Sequence, residues 1–117
     1  MSYIDGFVAA VPTANKDQYI AHVKLAAECF KEHGALRLTE CWGDDVPDGE
    51  TTSFPMAVKR KDNETVVFGL VEWPSKAVRD RGMQKVMEDE RMSAENNPMP
   101  FDGKRLIYGG FQVIFNQ

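Results

Sequence analysis

Three carboxylates interrupt runs of apolar residues that are predicted to form β-strands, namely Asp5, Glu40 and Glu72. A carboxyl group that is taken out of water has its charged form disfavoured unless a partner stabilises it. Such a group can act as a general acid or base, so these three are the candidate catalytic residues. The structural alternative, which we favour, is that each carboxylate lies at a wet strand end or pairs with an arginine. The arginines considered as partners are Arg37, Arg79 and Arg105.

Large side chains close to these carboxylates are candidates for the walls of a pocket. Trp42 and Trp73 follow Glu40 and Glu72 within two residues, and Tyr108 precedes two glycines. The candidate ligand-binding residues are Trp42, Trp73, Tyr108 and Arg105. Large aromatic residues also dominate protein cores and interfaces, so the alternative is that they anchor the core or a dimer interface.

The sequence indicates no metal site. The acidic loop at 43–53 lacks the ligand spacing of an EF-hand. For His22 and His33 we identify no metal-ligand residue one helical turn away. His33 has a sufficient structural role at a helix C-terminus, where it interacts with the helix dipole. Cys29 and Cys41 form neither a disulfide framework nor a zinc pattern, and both are expected to be buried thiols. No cofactor is implied.

Charge and composition exclude several classes of partner. The net charge is -4, whereas proteins that hold nucleic acid or anionic membranes concentrate lysine and arginine. No apolar run approaches the ~20 residues of a membrane span, and the strand pattern begins too early for a cleavable leader. We therefore expect one domain over 1–117, in the cytoplasm, with neither nucleic acid nor membrane as a partner.

Hydrophobic periodicity predicts the elements that must position these residues. Strands are predicted at 3–11, 36–42, 65–73 and 105–115, and an extended segment at 54–59 is predicted to form a hairpin with the third of them. A helix is predicted from about residue 16 to residue 33, with an N-cap box at Asn15 and an end at Gly34. Ser75 is predicted to cap a second helix.

The element order β-α-β-β-α-β predicts an α+β fold. The expected architecture is a ferredoxin-like antiparallel sheet with two helices on one face and an extra β-hairpin arm. One phasing of the strands turns the small residues around Gly6 and Gly69 toward the helices, which would bring Asp5 and Glu72 together on the other face.

Both faces of the predicted sheet are apolar, but two helices can cover only one of them. Leaving the second face in water would forfeit on the order of 10 kcal/mol, which is comparable with the stability of a whole domain. We therefore expect a homodimer in which two sheets pack face to face as a dimeric α+β barrel.

The chain closely resembles the YbaA-like family of uncharacterised small bacterial proteins. The segments that carry the resemblance are YIDGFVAAVP, FKEHGALRLTECWGDDVPDG, EWPSKAVRD and MPFDGKRLIYGGF, which together span nearly the whole chain. The resemblance implies the dimeric α+β barrel fold but no catalytic residues. The wider superfamily includes cofactor-independent monooxygenases, isomerases, haem-degrading enzymes and regulatory domains, so the fold alone does not assign an activity.

We therefore predict a homodimer that binds or converts a small organic molecule in a pocket, without a metal. Asp5, Glu40 and Glu72 are its candidate acid or base groups. The alternative is a structural or regulatory dimer whose pocket is filled by its own side chains.

Overall fold

The computed structural model describes residues 2–117 and has an α+β fold with a four-stranded antiparallel sheet. The strands and helices, in chain order, are β1 (Tyr3–Pro12), α1 (Lys16–Glu32), β2 (Arg37–Trp42), α2 (Phe54–Ala57), β3 (Glu64–Trp73), α3 (Lys76–Glu88) and β4 (Ile107–Gln112). Three single 3₁₀ turns lie at Thr13–Asn15, Glu90–Met92 and Gly103–Arg105. The predicted strands and the two long helices are confirmed, with ends that differ by a few residues.

The sheet has the strand order β2-β3-β1-β4, with β1 between β3 and β4. β1 pairs antiparallel with β3 along its whole length, and its first six residues also pair with β4. Residues directly opposite each other in such pairs point to the same face of the sheet, so the register fixes which side chains are neighbours.

Helices α1 and α3 cover one face of the sheet, which we call the helix-covered face. Tyr19 of α1 packs in a buried cluster with Val67, and Val78 of α3 packs against the fully buried Trp73. Helix α1 ends at Gly34, whose φ of 110° is the left-handed conformation that glycine adopts at little cost. Ser75 caps α3 through its side-chain oxygen, as predicted.

The side chains of the strands point to different faces from those in the arrangement considered in the sequence analysis. Asp5 and Phe7 point toward the helices, and Glu72 points away from them, because it lies opposite Ile4. The prediction that Asp5 and Glu72 share a face is therefore wrong. The physical reason is that the large ring of Phe7 occupies the space left above Gly69, its neighbour on β3.

The predicted hairpin arm at 54–59 is wrong, because this segment forms the short helix α2. The hydroxyl oxygen of Ser53 accepts a hydrogen bond from the Met56 backbone N–H at 3.1 Å, which caps the helix. Pro55 lies in the first turn, where its missing N–H has no cost. Local capping therefore outweighs the extended pattern of six residues.

The face opposite α1 and α3, which we call the outer face, is covered at one end only. There the residue after α2, Val58, is buried in a cluster with Val8, Ala10 and Val66. The other end presents exposed or half-buried apolar side chains of three strands. Those that define it are Ile4, Phe68, Leu70, Ile107 and Phe111.

Two smaller expectations are also corrected. Asn15 precedes α1, but its side chain makes no capping bond and instead donates to the Pro100 carbonyl at 2.9 Å. The last strand is shorter than the predicted 105–115, because Arg105 lies in a 3₁₀ turn and regular pairing ends at Gln112. Across residues 2–117, every helix falls short of the length and apolarity that a membrane span requires.

Candidate functional site

One row of cross-strand neighbours on the helix-covered face carries the candidate site. The register aligns Glu40 with Gly69, Gly69 with Phe7, and Phe7 with Tyr108, and we call these four residues the middle row. One apolar cluster, around Tyr19, lies on one side of the row, and the cluster around Trp73 lies on the other. The middle row therefore places a carboxyl group between two hydrophobic clusters.

Gly69 makes room for the carboxyl group of Glu40. A Cβ atom at residue 69 would overlap the Phe7 ring and lie 2.8 Å from Glu40 Oε1. The Tyr19 hydroxyl, on α1, donates a hydrogen bond to the same Oε1 atom at 2.7 Å. No arginine, lysine or histidine within residues 2–117 forms an ion pair with Glu40.

This environment makes Glu40 a weak acid. Burial disfavours its charged form and raises its pKa from 4.5 to about 7, and the hydrogen bond from Tyr19 offsets this only in part. Burial and the nearby Glu40 carboxylate raise the pKa of Tyr19 above its ordinary value, so Tyr19 stays protonated as the donor. Glu40 can therefore gain or lose a proton near neutral pH, as a general acid or base must.

Asp5, in the adjacent row, is held in an ion pair. Arg79 of α3 donates to both of its carboxylate oxygens, with the closest contact at 2.8 Å, and Trp73 Nε1 donates to Oδ2 at 2.9 Å. Asp5 in turn raises the pKa of Arg79 through these hydrogen bonds. A carboxylate with this many fixed donors supports the structural alternative for Asp5.

Glu72 lies on the outer face, at its rim. Its Oε2 atom is 3.0 Å from Arg37 Nε, and the Arg37 side chain is largely exposed. This is a surface ion pair between neighbouring strands. Glu72 therefore lies on the opposite face of the sheet from Asp5 and Glu40, and its surroundings also favour the structural alternative.

The candidate wall residues fall into different parts of the molecule. Trp73 is fully buried in the core, whereas Trp42 is half-buried beside Tyr19, with Lys16 Nζ 5.5 Å from its ring centre. Tyr108 is 80% exposed, at the β4 end of the middle row. Of these three, only Trp42 lies near Glu40.

Arg105 is committed to neighbouring carboxylates. Its guanidinium donates to both oxygens of the buried Glu64, at 2.7 and 2.6 Å, and to Asp102 at 3.0 Å. These bonds fasten the 3₁₀ turn before β4 to the start of β3. Arg105 therefore has few donors left for a ligand.

A separate apolar hollow of about 540 Å³ opens on the exposed end of the outer face. Its floor is made by strands β1, β3 and β4, and Gly6 and Gly109, which lie opposite each other, keep the floor low. The apolar side chains around it include Ile4, Val8, Phe68, Leu70, Ile107 and Phe111. Tyr108 is the one predicted site residue on its lining.

Sequence reasoning missed a cluster at the end of α1. Cys29 and His33 are four residues apart on the helix, and they were not recognised as a pair from the sequence. Asp89, which follows α3, joins them, and the three ligand atoms lie within 4.8 Å of one another. The helical spacing of Cys29 and His33 was visible in the sequence, but the approach of Asp89 depends on how α3 packs.

The comparisons with known proteins agree with the resemblance drawn from the sequence. A family model described as "Protein of unknown function (DUF1428)" matches residues 2–103. The chain is 56% identical over 117 residues to "Uncharacterized protein YbaA" of Escherichia coli strain K12, covering all of both chains. The protein of the same description from Shigella flexneri is equally similar. These names carry no activity.

Proposed function

The chain belongs to the DUF1428 family of proteins of unknown function, and from the hollow on its outer face we propose that it is a homodimer that binds a small, mainly apolar organic molecule. The two copies would pair through their outer faces and enclose the ligand between the sheets. The binding needs neither a metal nor a cofactor. The single observation that carries this proposal is the hollow of about 540 Å³ lined by exposed apolar side chains.

The size and lining of the hollow suit this role. Ligand pockets typically enclose about 300–1,000 Å³ and are lined mainly by hydrophobic and aromatic groups. Phe68, Ile107 and Phe111 are 39%, 43% and 62% exposed, so this end of the sheet is an apolar patch of the kind that marks an interface. A cover over this patch would take these side chains out of water and close the hollow.

A second copy of the chain is the cover that the fold favours. The strand order β2-β3-β1-β4, with both long helices on one face, supports the proposal of a ferredoxin-like arrangement. The apolar residues continue beyond β4 into Ile114 and Phe115, which are 85% and 76% exposed. A C2 pairing of two outer faces would bury both the patch and this tail. The family resemblance implies the same dimeric barrel.

Light scattering tests the dimer. We expect the wild-type protein at micromolar concentration to have twice the chain mass of 13.2 kDa. Phe111→Glu places a charge at the centre of the patch and should give monomers. Met87→Glu is the matched control, because Met87 is an exposed apolar residue of α3 and should leave the dimer intact. A wild-type protein that scatters as a monomer would overturn the proposal.

An environment-sensitive naphthalene dye tests the pocket. We expect the dimer to bind the dye, and small apolar compounds to displace it. Leu70→Trp fills the hollow with apolar volume, so it should abolish dye binding while the dimer persists. If the wild-type dimer binds no dye or compound, the partner's side chains fill the space, and the protein is a structural or regulatory dimer instead.

Proton exchange with a small molecule at Glu40 is a second candidate function. It rests on a specific observation, the carboxyl group whose pKa is raised to about 7 and whose hydrogen-bond partner is Tyr19. Among the three predicted acid or base residues, Glu40 is the one without an arginine on its carboxylate. A compound that binds wild type but not Glu40→Gln at pH 7 would support this role.

The cysteines bear on where the protein acts. Cys29 and Cys41 are both free, and unbridged cysteines are usual in reducing compartments. This supports the cytoplasm as the site of action. A reporter fusion expressed in the native host would test it.

A further inference from the structure

Three different metal-ligand types converge where the ends of α1 and α3 meet. Cys29 and His33 lie one turn apart on the last turns of α1, so their side chains share one face of the helix. Asp89 ends α3 and begins the following 3₁₀ turn. The cysteine sulfur, a ring nitrogen of the histidine and a carboxylate oxygen all lie within 4.8 Å of one another.

These ligand types and distances suit zinc. Zinc binds sulfur at about 2.3 Å and nitrogen or oxygen at about 2.0–2.2 Å, so a tetrahedral site separates its ligand atoms by roughly 3.3–3.8 Å. His33 Nε2 and Asp89 Oδ2 are 3.0 Å apart, which is close to that separation. The remaining ligand, Cys29 Sγ, has to move by up to about 1.3 Å to complete three corners of a tetrahedron.

Arg91 orients the carboxylate without blocking every ligand position. Its backbone N–H and its Nε both donate to Asp89 Oδ1 at 3.0 Å, which leaves Oδ2 directed at His33. Arg91 Nη2 also reaches Oδ2, at 2.7 Å, and Glu32 Oε2, at 2.6 Å. A metal on Oδ2 displaces the hydrogen bond from Nη2 to that atom, and the two bonds to Oδ1 keep Asp89 in place as an outer shell does.

The net negative charge of the groups around the cluster favours the binding of a cation. With a neutral His33 and a thiol at Cys29, the carboxylates of Asp89 and Glu32 outnumber the single guanidinium of Arg91 by one charge. A divalent ion that converts the thiol to a thiolate makes the group neutral overall. The Cys29 side chain is fully buried, whereas His33 and Asp89 are 23% and 16% exposed, so an ion can approach from their side.

From this convergence we propose that Cys29, His33 and Asp89 bind a zinc ion, with water as the fourth ligand. The ion ties the end of α1 to the end of α3, far from the outer face. The ion stabilises the packing junction of the two helices, because its three protein ligands come from that junction. It is independent of the ligand pocket proposed above.

Cobalt(II) is the probe that tests this site, because it replaces zinc and its spectrum reports on its ligands. Chelator-treated, reduced, full-length protein is titrated with cobalt(II). We expect a sulfur-to-cobalt charge-transfer band and the strong visible bands of a tetrahedral ion, both lost when zinc is added. Even outer-shell changes weaken metal sites by roughly 10–100-fold, so loss of a ligand in Cys29→Ala or His33→Gln should weaken binding by at least about 100-fold.

Matched controls keep the test decisive. Cys41→Ala and His22→Gln change the other cysteine and the other histidine of the chain, and both should keep the wild-type cobalt spectrum. If Cys29→Ala fails to fold, His33→Gln and Asp89→Asn carry the test. Wild-type protein without a sulfur-to-cobalt band, or a band that persists in Cys29→Ala and is lost in Cys41→Ala, would overturn the proposal.

Discussion

Asp5 and Glu40 occupy adjacent rows of the same sheet face, yet they are held in opposite ways. Asp5 is buried against an arginine and an indole N–H, whereas Glu40 has the single neutral donor Tyr19. Arg79 compensates the charge of Asp5, whereas no cationic side chain of residues 2–117 forms an ion pair with Glu40. The difference teaches that the partner, rather than burial alone, decides whether a strand carboxylate is a structural anion or a titratable group.

The largest expected effect is the loss of the Asp5 charge. Asp5→Asn leaves the Arg79 guanidinium without its main partner, and breaking a buried pair in this way costs about 3–5 kcal/mol. We expect a loss of unfolding free energy of about 3 kcal/mol in urea denaturation, because Arg79 keeps its contact with Asp80. Asp80→Asn is the control, since this exposed carboxylate contacts the same arginine and, as a member of a surface ion pair, should cost much less than Asp5→Asn. Equal losses in the two variants would contradict the comparison.

The effect of Glu40→Gln on stability should be opposite in sign to that of Asp5→Asn, and it should depend on pH. Below the ordinary pKa of 4.5, Glu40 is protonated in both the folded and the unfolded state. Between pH 4.5 and about 7 the unfolded chain releases this proton while the folded chain keeps it, so wild-type stability falls as the pH rises through that window.

Above pH 7 Glu40→Gln should therefore be more stable than wild type, by on the order of 1–3 kcal/mol after allowance for solvent screening of a partly buried group. Near pH 4 the two proteins should be equally stable. Urea melts across this pH range measure the difference. Glu28→Gln, on the exposed side of α1, is the control and should follow the wild-type curve. A pH-independent difference would show that Glu40 does not titrate as described.

Tyr19→Phe sharpens the comparison by removing the donor of Glu40. The hydrogen bond from Tyr19 lowers the pKa of Glu40, so its loss should move that pKa above about 7. The expected loss of stability is about 1 kcal/mol, which is typical of one neutral hydrogen bond. Carbon-13 NMR titration of the glutamate carboxyl groups measures the pKa. Tyr3→Phe serves as the control, and an unchanged Glu40 pKa in Tyr19→Phe would count against the interaction.

The smallest effect is expected at Glu72, whose partner lies in solvent. Glu72→Gln should reduce the unfolding free energy by about 0–1 kcal/mol, since surface ion pairs contribute little and are screened by salt. Thermal melts at low and high salt measure it. A loss as large as that of Asp5→Asn would mean that the outer face is covered in solution and that this pair is buried with it.

Much of the fold was predictable because strands and amphipathic helices leave strong periodic patterns. The four strands and the two long helices follow from alternation, from Gly34 and from Ser75. The structure of the segment at 54–59 was not predictable, because six apolar and polar residues fit a strand or one helical turn equally well. Its helix depends on a single capping bond from Ser53.

The site was less predictable because its chemistry depends on long-range register. Asp5 and Arg79 are separated by 74 residues, and nothing local in the sequence pairs them. Glu40 differs from the other two carboxylates only because the fold places Tyr19 beside it and places an arginine beside each of the others. The choice of strand face also failed for this reason, since the contact between Phe7 and Gly69 exists only after β1 and β3 pair.

The central position of β1 has a consequence for how the chain folds. β1 pairs with β3 and with β4, so both of its partners come from distant parts of the chain, as the pairing of Tyr3 with Gln112 illustrates. Contacts so distant along the chain carry a large loop-closure cost, which slows folding relative to helical proteins of similar size. Until β3 and β4 pair with it, the apolar β1 presents unpaired strand edges, which makes the partly folded chain prone to aggregation.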